Sequence, residues 1–208
     1  MNPALRVALR WTLAAIALTF LVLLATGLWL SWNYRPPEAA RWVIDGHLGN
    51  TAAWARRVQL LHRWTGVQLI VLAVGLLGEA IAWAISTHRL RRAVAGFAAL
   101  IFVLLADFSG FLIAWDELAL FSVTIGTNIS GFGSIFTNEL LYVLVGRSVV
   151  GIDTIRRWFW IHTVATPLAI AVIIGMMLVM LRRALAAIVS PAGSDADEIR
   201  RTSWRSRS

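Results

Sequence analysis

The chain has 208 residues, 59% of them hydrophobic and 14% charged, with a mean hydropathy of +0.73. Soluble domains run nearer ~45–50% apolar and ~25% charged, so this composition excludes most soluble folds and all disordered ones. The net charge of +8 comes from 19 basic residues, every one an Arg, gathered in short clusters beside apolar runs; that pattern speaks against nucleic acid and for lipid as the partner.

Four apolar segments follow one another, at about 11–33, 58–86, 93–115 and 158–181, each long enough for the ~20 residues that a membrane span needs. The first is too long for the apolar stretch of a signal peptide, and Gly27-Leu28-Trp29 is a poor cleavage site, so it reads as an uncleaved span. It ends in the aromatic belt Trp29, Trp32 and Tyr34, then Arg35-Pro36-Pro37. The expectation is an all-α polytopic membrane protein: a four-helix transmembrane bundle over residues 1–183, and a flexible, Arg-rich cytoplasmic tail over 184–208. The two long connections, 35–57 and 116–156, should lie outside as short surface helices, because structureless loops of that length are unusual.

Orientation follows from the arginines. With four spans, both termini and the connection between spans two and three share one side, which carries 11 Arg against three acids; the other side carries 8 Arg against six. The more basic side belongs in the cytoplasm, which puts both termini there; the expected location is a bacterial inner membrane.

With no Cys in the chain there is no disulfide and no thiolate-held metal centre. Metal chemistry then rests on four histidines. His62 and His162 each sit four or five residues inside an apolar segment, at matched depth on two spans that run in the same direction. Ionisable groups at such a depth are costly and usually functional, and two imidazoles facing each other can hold one metal ion, with iron in a haem as the natural candidate. Gly27 in span one and Gly110 in span three lie at the same level and would give a flat group clearance. Interhelical hydrogen bonding by the two histidines is the rival reading, and these residues alone leave both open.

Those residues, in order and spacing, carry a resemblance. Ala25-Thr26-Gly27 with Asn33-Tyr34-Arg35-Pro36, His62-Arg63-Trp64, the pair Gly96 and Gly110, Ala114-Trp115-Asp116-Glu117, Thr127-Asn128, and Arg157 with His162 and Pro167 together resemble the amino-terminal, haem-carrying half of cytochrome b/b6, from about residue 11 to 183. The resemblance implies metal ligation by His62 and His162, Gly27 and Gly110 beside the cofactor, and Arg157 and Arg63 as cofactor-binding residues toward its propionates. Arg157 is preferred because it matches the family position, while Gln59 stands where the family has an arginine. Arg57 is a weaker candidate, and interfacial anchoring is the alternative for each arginine.

The departures are as informative. The family holds a second haem about 14 residues deeper on spans two and four, where this chain has Leu76 and Met176 or Met177; Leu13 replaces an inner glycine, and Gly96 is the remnant. The resulting expectation is one non-covalent, bis-histidine haem b near the outer face. Asp107, one turn before Gly110, is a candidate for proton relay to a quinone or for a hydrogen bond to nearby backbone. Glu79 is expected to meet water near the inner end, and His47 and His88 to be solvated loop residues.

By resemblance, the function is that of a cytochrome b-type electron-transfer subunit of a quinone-linked respiratory oxidoreductase complex. Electrons would pass between a quinone or quinol, as mobile substrate, and a periplasmic electron carrier such as an Fe–S or cytochrome c protein. The partners implied are membrane lipid, other subunits and, from the family's habit, a second copy of the chain. The family's Pro-Glu-Trp-Tyr quinol motif is not in the sequence, so another subunit would complete an outer quinol site. The alternative is a structural anchor subunit with a vestigial pocket. A channel or transporter finds little support, for the sequence shows no paired broken spans or ring of pore charges.

Overall fold

The computed structural model describes residues 2–33, 50–113, 118–119, 121–122, 125 and 152–189. The expected surface helices of the outer connections, Tyr34-Arg35-Pro36, Ala114-Trp115-Asp116-Glu117, Thr127-Asn128, His47 and the tail beyond 189 lie outside, or almost wholly outside, the described residues. Everything of regular structure in the described residues is helical: α1 (Pro3–Asn33), α2 (Asn50–Thr87), α3 (Arg91–Ile113), α4 (Ile152–Trp160), a π-helical turn (Ile161–Ala165) and α5 (Thr166–Val189). Four helices are long and apolar enough to cross a membrane, the last being the continuous run Asp153–Ala186 through α4, the π turn and α5. The protein is thus an all-α, multi-pass membrane protein. The last helix runs to Val189, past residue 183, because the apolar pattern continues beyond Arg182 and Arg183.

Local chemistry explains the ends. Asn2 caps α1, its Oδ1 accepting from the Ala4 N–H at 3.0 Å, with Pro3 in the first turn, where its missing N–H loses nothing. The α2–α3 turn is tight: Arg89 N–H bonds Ala84 O at 3.1 Å and His88 N–H bonds Ile85 O at 3.4 Å, the paired bonds of a Schellman ending. His88 holds the left-handed position with φ of 50°, normally a glycine's place, and it is exposed as expected.

α1 packs on α2, α2 on α3, and α3 on α4 and α5, while α1 also touches α5 and closes the bundle. The end at which α1 and α3 finish is called outer here. Exposed Trp29, Trp32, Trp54, Trp64 and Trp160 ring that end, as aromatic residues do at a membrane–water boundary. Leu18, Val71, Leu168 and Val172 are exposed along the middle. Since lipid is as apolar as these side chains, the bundle is held by close packing and interhelical hydrogen bonds rather than by water exclusion.

Its interior core fills the inner half. Leu13, Leu76 and Met177 are 0–1% exposed and belong to one cluster with Ile16, Trp83 and Ile174. Gly96 brings α3 against α2 there: a Cβ on it would lie 2.7 Å from Ala80 Cβ.

Candidate functional site

The outer half is built differently. His62 on α2 and His162 in the π turn face each other across the bundle, ring centres 6.1 Å apart and planes at 73°. His162 lies where the backbone ladder widens. Pro167 has no N–H to return to the carbonyl of Thr163, and Thr166 N–H bonds Ile161 O, five residues back. Such wide turns recur at functional sites. Thr163 and Thr166 support the turn by donating their hydroxyls to Phe159 O at 2.7 Å and His162 O at 3.2 Å.

Each imidazole has its Nδ1 engaged. His162 Nδ1 lies 2.9 Å from Ala106 O on α3, and a carbonyl only accepts, so Nδ1 carries the proton. Ser109 Oγ, 3.2 Å from the same nitrogen, donates its own proton to Ala106 O. His62 Nδ1 lies 2.8 Å from Thr26 Oγ1 on α1. The Thr26 hydroxyl donates to Val22 O at 2.7 Å, so toward His62 it accepts. The hydrogen-bond pattern therefore assigns the Nδ1–H form to both rings and leaves both Nε2 lone pairs available.

The glycines stand directly behind these rings. A Cβ on Gly110 would lie 2.8 Å from His162 Cε1, and one on Gly27 would lie 3.1 Å from His62 Cε1. Among the described atoms, what these glycines clear is the imidazoles themselves. Arg63 is exposed beside His62, and Arg157 is half-buried five residues before His162. Asp107 is exposed at the α2–α3 seam, its Oδ1 3.9 Å from where a Cβ on Gly66 would be.

Glu79 corrects an expectation. It does not simply meet water: it is half-buried, and its Oε1 accepts from Thr12 Oγ1 at 2.8 Å, because α1 crosses α2 at that level. Sequence reasoning missed Thr26, Ala106 and Ser109 as partners of the histidines. Thr26 and Ser109 directly precede Gly27 and Gly110, which was the available signal.

What this arrangement can hold follows from its donors. Among the described residues no three of His, Cys, Asp and Glu gather as a metal-holding group. Two imidazoles suit an ion that brings its other ligands with it, as iron in a porphyrin does. Nδ1 bonds that fix tautomer and orientation are what metal-binding histidines require.

Residues 2–185 match the family described as cytochrome b/b6/petB. The chain belongs to that family. It is also similar to the cytochrome b6 of Auxenochlorella protothecoides, 24% identical over 165 residues that cover 79% of this chain and 77% of that protein. Membership supports a haem-binding electron-transport subunit of a multi-subunit redox complex in a membrane. It also agrees with a bundle in which residues from all four spans meet at one level: Thr26 and Gly27 of α1, His62 of α2, Ala106 to Gly110 of α3, and His162 of the last.

Proposed function

We propose that this member of the family carries one non-covalent haem b, which His62 and His162 would hold near the outer face. The proposal includes electron passage between a quinone or quinol and a periplasmic redox protein, in a bacterial inner membrane with both termini in the cytoplasm. The observation that carries this reading is the facing imidazole pair with both Nδ1 atoms tied.

A bound haem supplies reversible one-electron exchange at its iron. The chain's own residues supply the rest. His62 and His162 offer Nε2; Thr26 and Ala106 hold the rings against rotation and, by accepting from Nδ1–H, raise ligand basicity. Gly27 and Gly110 let the rings lie close to α1 and α3. Arg157 and Arg63 are the proposed counter-charges for propionates at the outer end. That the haem is single is supported by Leu13, Leu76 and Met177, which belong to one buried apolar cluster in the inner half. With no redox group proposed there, electrons exchange on the outer side only, and partner subunits complete the quinol site.

The test is reduction of the purified complex by a quinol and by candidate periplasmic carriers, followed in the haem absorption bands. Haem reduced by quinol and reoxidised by the carrier supports the reading. A fully assembled but colourless complex refutes it and leaves the anchor role.

A further inference from the structure

Three buried side-chain atoms among the described residues find no hydrogen-bond partner within the protein itself: Glu79 Oε2, Trp83 Nε1 and Arg92 Nε. The residues that carry them neighbour one another near the inner ends of α2 and α3. Glu79 and Trp83 are four residues apart on the same side of α2, and a helical Trp leans back over the preceding turn, here toward Glu79. The Arg92 guanidinium lies 4.0 Å over the Trp83 ring and is tied through Nη1 to the Thr87 hydroxyl. Trp83 is fully buried and Arg92 is 7% exposed, so bulk solvent does not serve these atoms.

We infer that a buried water molecule binds at this inner-end site, accepting hydrogen bonds from Trp83 Nε1 and Arg92 Nε and donating one to Glu79 Oε2. The count fits: two orphaned donors and one orphaned carboxyl oxygen are met by the two lone pairs and one proton of a single water, the three bonds usual for a buried water. An anion is disfavoured by the Glu79 carboxyl and a metal cation by Arg92. The other Glu79 oxygen already accepts from Thr12. The water thus joins a carboxyl on α2 to a guanidinium on α3, and through Thr12 to α1, fastening the inner ends of three helices. Buried ionisable groups in a bundle need such a partner.

The intact complex in lipid nanodiscs, with Trp indoles labelled with 15N, tests this by NMR. The Trp83 resonance is identified by its loss in Trp83→Phe or, if that variant does not fold, by its shift in Glu79→Gln. The expected result is magnetisation transfer from water to the Trp83 indole proton, abolished in Glu79→Leu. Transfer from lipid or quinone protons alone, or no transfer, overturns the proposal. In thermal unfolding, Glu79→Gln and Arg92→Met should be non-additive, the double variant falling no lower than the worse single one; strictly additive shifts also overturn it.

Discussion

The same four helices meet twice around glycines, with opposite results. At the outer end, Gly27 and Gly110 back onto imidazoles, and the facing side chains are polar and tied to Thr26, Ala106 and Ser109. At the inner end, Gly96 backs onto Ala80, and Leu13, Leu76 and Met177 fill the interior. A glycine in a membrane helix therefore says only that something comes close; the residue opposite decides whether that is a ligand or a methyl group. The comparison also shows one bundle filling its inner level with apolar side chains while two tied imidazoles occupy its outer level.

That contrast breaks most sharply at the ligands. His62→Ala or His162→Ala should abolish haem binding, an effect larger than the roughly 10–100-fold loss typical when a ligand's orienting partner is removed; haem per assembled complex is the measurement. Leu76→Ala or Met177→Ala should do the reverse, destabilising the bundle by about 2–5 kcal/mol through an unfilled cavity while leaving the haem spectrum unchanged. Gly110→Ala forces a Cβ to 2.8 Å from His162, so haem occupancy should fall, and more than in Gly27→Ala, where the approach is 3.1 Å. Gly75→Ala is the control: nothing lies within 4 Å of its Cβ position, so occupancy should hold and the helix should gain up to ~1 kcal/mol.

How much of this was legible beforehand differs between the halves. Four spans and the paired histidines could be read because apolar length and an ionisable residue inside it are strong one-dimensional signals. Leu76 could be read as core because a leucine at a buried level needs no partner, but the choice between Met176 and Met177 could not: helix rotation buries Met177 and leaves Met176 exposed. The π turn could not, since Pro167 signals a lost hydrogen bond but not whether the helix kinks or widens. The bonds from Nδ1 to Thr26 and Ala106 depend on helix rotation, which no spacing within one segment fixes. Glu79 was read as simply meeting water because its partner, Thr12, lies 67 positions away.

Smaller effects sharpen the same comparison. Thr26→Val removes the acceptor for His62 Nδ1 without changing shape much. It should weaken haem retention by roughly 10–100-fold and alter the redox potential, readable in a haem-transfer assay and a potentiometric titration. His88→Gly relieves the left-handed conformation at the α2–α3 turn; thermal unfolding should show a gain of about 1 kcal/mol with no change in the haem bands.

Haem content against chain concentration, measured by pyridine haemochrome on the purified complex after allowance for any partner cytochrome, tests the central claim most directly. One haem b per chain that disappears in His162→Ala is the predicted result. Two haems per chain, or one that survives His162→Ala, would contradict it.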